Sequence, residues 1–98
     1  MEIQVEQNNE EMTIRLSGRL DTLTAPKLDV EIEDLPQNVT KLVLDLKDLN
    51  YISSAGLRVL LTAQKKMNKL GSMRVLNVCP EVMEVFKMTG FEDILVIE

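Results

Sequence analysis

Leu42-Val43-Leu44-Asp45-Leu46-Lys47-Asp48-Leu49-Asn50-Tyr51-Ile52-Ser53-Ser54-Ala55-Gly56-Leu57 carries the pattern on which the fold depends. Its first part, Leu42 to Leu46, is nearly continuous apolar text, which predicts an interior strand covered on both faces at the centre of a sheet. The polar run Lys47 to Asn50 predicts a turn. Ser53-Ser54-Ala55-Gly56 then opens a helix in which Leu60, Ala63, Met67 and Leu70 recur at helical spacing, until Gly71 supplies a stop.

Working outward, Ile3–Val5 and Met12–Leu16 alternate apolar and polar residues, the period of half-buried strands, and Gln7 to Glu10 between them suits a hairpin loop. Thr24-Ala25-Pro26 is a capping residue followed by proline in a first helical turn. Leu28 and Ile32 share a face of that helix, which ends before Pro36. On the other side, Met73 to Val78 reads as a strand. Pro80 opens a helix through Val82, Val85 and Phe86 that Thr89-Gly90 closes, and Ile94 to Ile97 predicts a last strand. The expected fold class is α/β: one domain over residues 1–98, order β-β-α-β-α-β-α-β, with a mixed sheet, right-handed parallel crossovers and helices packed against it.

A chain of 98 residues with 45% hydrophobic content can bury one modest core. It has no histidine and one cysteine, Cys79, so an internal disulfide, a histidine-based acid-base site and a Ser-His-Asp or Cys-His arrangement are all excluded. No metal site and no catalytic residue are expected. Neither a GxxxxGK[ST] nor a GxGxxG loop is present, so no cofactor is expected either. Asp45 and Asp48 read as turn and cap residues, Cys79 as a small buried apolar residue, and the six methionines as core filler.

The net charge of −5 argues against nucleic acid as a partner. Met1 to Glu6 lacks the basic start and apolar core of a signal peptide, and no apolar run approaches the ~20 residues of a membrane span, so a cytoplasmic location without membrane insertion is expected. Charge is unevenly placed, however. No acidic residue lies between Asp48 and Glu81, whereas Arg58, Lys65, Lys66, Lys69 and Arg74 all do. A solvated helix face whose lysines complement the dipole accounts for this interval, and a partner-docking stripe is the sharper alternative.

Two hydroxyls stand where the loop from the central strand enters a helix. N-capping explains one serine, not two, and not the small Ala55-Gly56 pair that would let a backbone or a phosphate approach closely. A phosphate there would gain backbone donors and a favourable dipole while standing beside Asp48, Asp45 and Asp21. Its cost would fall on a partner's surface and not on folding, which is what a reversible switch requires.

Four stretches, spaced over almost the whole chain, carry a family resemblance: Leu16-Ser17-Gly18-Arg19-Leu20-Asp21, Leu42-Val43-Leu44-Asp45-Leu46, Ile52-Ser53-Ser54-Ala55-Gly56-Leu57 and Phe86-Lys87-Met88-Thr89-Gly90-Phe91. In order and interval they resemble the STAS-domain family, in particular the bacterial anti-sigma factor antagonists. The resemblance implies that Ser54, two places before the glycine, is the phosphorylated serine, with Ser53 as second choice because it stands where the family usually has aspartate. It implies an anti-sigma factor that is also a serine kinase as partner, a serine phosphatase that reverses the modification, and regulation of transcription by partner switching. The docking surface it implies comprises Asp21, Ser53, Ser54, Gly56, Leu57 and Arg58. Two other roles within the resemblance are a STAS subunit of a lipid or anion transporter without a phosphoswitch, and a nucleotide-responsive binding module, for which the sequence offers no phosphate loop.

Overall fold

The computed structural model describes residues 1–98. Strands β1 (Glu2–Asn8) and β2 (Glu11–Leu20) form an antiparallel hairpin closed by Asn9 and Glu10; Asn9 takes the left-handed φ of 57° that a tight turn needs and asparagine tolerates. Helix α1 (Ala25–Glu33) carries the chain to β3 (Lys41–Ile52), and α2 (Ser54–Leu70) carries it to β4 (Ser72–Leu76). Helix α3 (Pro80–Thr89) and a single 3₁₀ turn, Phe91–Asp93, follow.

The sheet order is β1-β2-β3-β4, with β2, β3 and β4 parallel. Two right-handed crossovers stepping in the same direction must place α1 and α2 on the same face of the sheet. That face holds the core, 23 contiguous buried residues that include Ile14, Leu16, Leu28, Ile32, Leu60, Met67 and, from α3, Val82 and Phe86.

Three expectations need correction. β3 is interior, but helices cover only one of its faces: Leu42, Leu44 and Leu46 point into the core, whereas Val43 lies on the opposite face in register with Thr13 and Arg74. The expected turn at Lys47 to Asn50 is strand. Twelve residues of β3 face ten of β2, and the register slips once between Arg15 and Ser17 and again between Gly18 and Arg19. Each slip is a bulge, which breaks the alternation that marks a strand in sequence and keeps Leu49 and Ile52 turned inward. Finally, the strand expected at Ile94 to Ile97 is reduced to one parallel bridge, Val75 to Ile97, flanked by hydrogen bonds from Val75 N–H to Val96 O (2.8 Å) and from Glu98 N–H to Val75 O (2.9 Å). Ile94 and Leu95 instead donate to Phe91 O in the 3₁₀ turn, so the chain reaches the sheet edge only at its last residues.

Candidate functional site

Parallel strands deliver their following segments to one edge of the sheet, and there β2 and β3 end together. Leu20 pairs with Ile52, and Ser53 N–H donates to Leu20 O at 2.9 Å, so Asp21 and Ser53 leave the sheet side by side. Ser53 is the N-cap of α2. Its backbone is extended (φ −102°, ψ 176°), its carbonyl accepts from Leu57 N–H at 2.9 Å, and its Oγ accepts from Gly56 N–H at a long 3.5 Å.

Ser54, the first helical residue, is exposed, and its hydroxyl makes no hydrogen bond within the chain. The two serines therefore differ: one hydroxyl is half-buried and serves the helix, the other is free in solvent. Gly56 and Leu57, expected on a docking surface, are buried. The small Gly56 serves packing. A β-carbon there would lie 2.8 Å from Leu20 Cγ, 2.9 Å from Ile52 Cγ1 and 3.0 Å from Leu20 O, so it is the end of β2, and not a phosphate, that approaches the helix start. These two residues shape the junction and offer a partner no side chain.

Asp21 organises the entry to α1. Its Oδ1 accepts from Leu23 N–H (3.0 Å), Thr24 N–H (3.1 Å) and the Thr24 hydroxyl (3.1 Å), and Arg19 Nε stands 3.7 Å from Oδ2. Desolvation alone would raise the carboxyl's pKa; the hydrogen bonds from Thr24 and Leu23, helped by the Arg19 charge, outweigh it and hold the group below its ordinary value. The turn thus built holds Leu23 out in solvent, 85% exposed.

Arg19 lies over the Tyr51 ring, 3.9 Å from its centroid, a cation–π contact between residues brought into register by the second bulge. Arg19, Tyr51 and Leu23 were not singled out from sequence, and Thr24, expected to cap α1 with its side chain, stands at the N-cap but makes no cap bond to the helix: its hydroxyl donates back to Arg19 O (2.7 Å) and accepts from Asp21 N–H (2.8 Å). The alternation Arg19-Leu20-Asp21 signals the shared side of Arg19 and Asp21; nothing local signals Tyr51.

Asp45 and Asp48 are not beside Ser54. Asp45 sits in mid-strand on the helix-free face, where Asn77 Nδ2 (3.0 Å) and Lys47 N–H (3.1 Å) donate to it and Arg15 Nε lies 3.8 Å away. Asp48 pairs with Ser17. At about 3.3 Å per strand residue, both are more than ~10 Å from the helix mouth.

The run of cations also divides. Arg74 belongs to β4 and pairs with Glu98 at 3.2 Å. Lys66 turns toward α1, donating to Ile32 O (2.8 Å) and Glu33 O (3.3 Å). Arg58, Lys65 and Lys69 stay exposed on α2, where intervals of seven and four residues put them on the face that begins with Ser54. Cys79 is half-buried, its thiol donating to Leu49 O at 3.3 Å. Of the methionines, Met12, Met67 and Met73 are core, whereas Met88 is 78% exposed.

No helix is long and apolar enough to cross a membrane. The chain is 30% identical over 94 residues to the anti-sigma-B factor antagonist of Bacillus subtilis, covering 95% of this chain and 86% of that protein. It is 33% identical over 98 residues to the anti-sigma F factor antagonist of Paenibacillus polymyxa, covering 97% and 84% respectively. The crystal structure of an anti-sigma factor antagonist from Mycobacterium paratuberculosis superposes with a TM-score of 0.83 at 26% identity, over 98% of this chain and 83% of that one. The STAS domain model matches residues 2–98, and the chain belongs to the STAS domain family.

Proposed function

We propose that this chain is an anti-sigma factor antagonist, a non-catalytic cytoplasmic binding protein controlled by phosphorylation at Ser54. The observation that carries the reading is the free, exposed hydroxyl of Ser54 at the first position of α2, in a chain whose relatives of similar length are antagonists of anti-sigma factors. Unmodified, the antagonist binds an anti-sigma factor through the surface around Asp21, Ser53, Ser54 and Arg58, and the sigma factor is released. The anti-sigma factor is also a serine kinase: Ser54 Oγ takes the γ-phosphoryl of ATP, its proton leaves to the kinase, and ADP departs. The added charge of roughly −1.5 to −2 ends the complex, until a phosphatase hydrolyses the ester and restores the hydroxyl.

Ser53 is the weaker acceptor on geometry, because its hydroxyl is half-buried and already caps Gly56. Phosphopeptide mass spectrometry after incubation with the cognate kinase and ATP tests the site. Ser54→Ala is expected to abolish incorporation with partner affinity kept, and Ser54→Asp to weaken binding several-fold or more. Phosphate found only on Ser53 would move the switch by one residue; unchanged affinity in Ser54→Asp would remove it.

A further inference from the structure

We propose that Arg58 binds the phosphate of phosphoserine 54 within the same helix, so that modification withdraws the docking face's nearest cation as well as adding a charge. The inference rests on Ser54 as the modified residue and names how that modification is read.

The chain has four arginines, and three are engaged. Arg15 faces Glu6 at 3.5 Å and Asp45 at 3.8 Å; Arg19 faces Asp21 and stacks on Tyr51; Arg74 faces Glu98. Arg58 is exposed and its guanidinium has no ion pair and no hydrogen bond. Only its carbonyl is used, accepting from the Thr62 hydroxyl at 3.0 Å.

Ser54 and Arg58 are four residues apart on α2, both exposed. Helical side chains lean toward the N-terminus, so a residue covers the surface one turn before its own Cα. For Arg58 that surface is Ser54. An anion preceding a cation by four residues is the favourable order on a helix, and a guanidinium accepts phosphate oxygens in a fork that a lysine ammonium lacks. No competitor stands nearby in sequence: the first turn of α2 has no acidic residue, and none occurs between Asp48 and Glu81. The first turn of α3, by contrast, carries Glu81.

A phosphate at Ser54 therefore meets one unpaired cation within a turn of it on its own face, Lys65 and Lys69 lying two and three turns beyond Arg58. The unmodified face begins with a free positive charge; the modified face begins with a phosphate-guanidinium pair carrying a net negative charge. A partner surface suited to the first is repelled by the second.

The test needs no kinase. Phosphoserine is placed at position 54 by genetic encoding, and its second ionisation is followed by ³¹P NMR against pH in the otherwise natural chain, in Arg58→Gln and, as control two turns along the same face, in Lys65→Gln. Arg58→Gln should raise the phosphate pKa by about 0.2 to 0.4 unit, the worth of an i,i+4 pair. Lys65→Gln should leave it in place, Arg58→Lys should recover part of the shift, and ~1 M salt should shrink the difference. Equal titration of the natural chain and Arg58→Gln overturns the inference, as does an equal shift in Lys65→Gln. Because the phosphate is installed directly, either result stands whichever serine the kinase modifies, and a kinase that ignores Ser54 moves or removes the switch of the functional proposal without moving the titration.

Discussion

At its C-terminal end α2 is locked to its neighbours, whereas at its N-terminal end it presents groups that the fold does not use. Lys66 reaches across to the last carbonyls of α1, a helix with no basic residue in its own final turn, and so supplies the cation that its dipole lacks. Gly71 packs so closely on the backbone of Thr40 that a β-carbon would fall 1.8 Å from Thr40 O. One helix length away, Ser54 and Arg58 have no partner, and the glycine of that turn, Gly56, is pressed mainly by side chains. The same residue type, a cation, thus holds the fold together at one end and is left chemically available at the other, while a glycine serves packing at both. Stability and the proposed switching are separable along a single helix because the crossover fixes its two ends differently.

Glycine substitutions should divide the two ends most widely. In Gly71→Ala the obstructing atoms, Thr40 O, C and Cα, are all backbone, and relief requires moving the segment that enters β3. A loss of about 3 kcal/mol or more is expected, the upper end of overpacking costs. In Gly56→Ala two of the three obstructing atoms, Leu20 Cγ and Ile52 Cγ1, belong to side chains and only Leu20 O, at 3.0 Å, is backbone; overpacking of about 1 to 3 kcal/mol, offset by up to about 1 kcal/mol of helix propensity, should leave a net loss of about 1 to 2 kcal/mol. Urea midpoints measure both. Equal losses would mean that the N-terminal end is as tightly built as the other.

The cations form a finer comparison. Lys66→Met removes two charge-assisted hydrogen bonds to helix-end carbonyls and should cost about 1 kcal/mol. Arg58→Met removes no contact and should stay within about 0.5 kcal/mol of the natural chain. Thermal melts of both variants check the split, and a larger loss for Arg58→Met would show that its guanidinium holds a structural contact.

What sequence revealed follows from the range over which each signal acts. Pro26, Pro80, Gly71 and Gly90 mark helix ends by local chemistry, and the helix bounds agree with them. The places of Asp21, just past the end of β2, and of Ser54 and Arg58, on the first turns of α2, were legible for the same reason; their roles belong to the proposal. The polar run Lys47 to Asn50 was misread because two bulges in β3 break its alternation, and a bulge is a property of the pair of strands. The Arg19–Tyr51 contact depends on the second of those register slips and has no signature in either strand. The last strand failed similarly: Ile94 to Ile97 has strand-like composition, but the 3₁₀ turn claims Ile94 and Leu95, which leaves one bridge to β4.

Asp21 offers the smallest and most discriminating effect, because it lies beside the helix mouth yet acts on α1. Its carboxylate accepts from Leu23 and Thr24 and faces Arg19, and its pKa is held below the ordinary value. A depressed folded-state pKa contributes stability that is complete above the unfolded value of about 4 and fades as pH falls through the lower, folded value. Asp21→Asn keeps an acceptor oxygen but removes the titration. The stability gap between the natural chain and Asp21→Asn should therefore be constant from pH 7 down to about 5 and narrow below about 4, as read from urea midpoints at each pH. Phosphoserine 54 titrates near pH 6 in its unperturbed state, well outside that acid window, so the two ionisations can be followed separately in one protein. If Asp21→Asn instead shifts the phosphate titration, the carboxylate and the phosphate share a field, and the N-terminal end of α2 is less independent of α1 than its contacts imply.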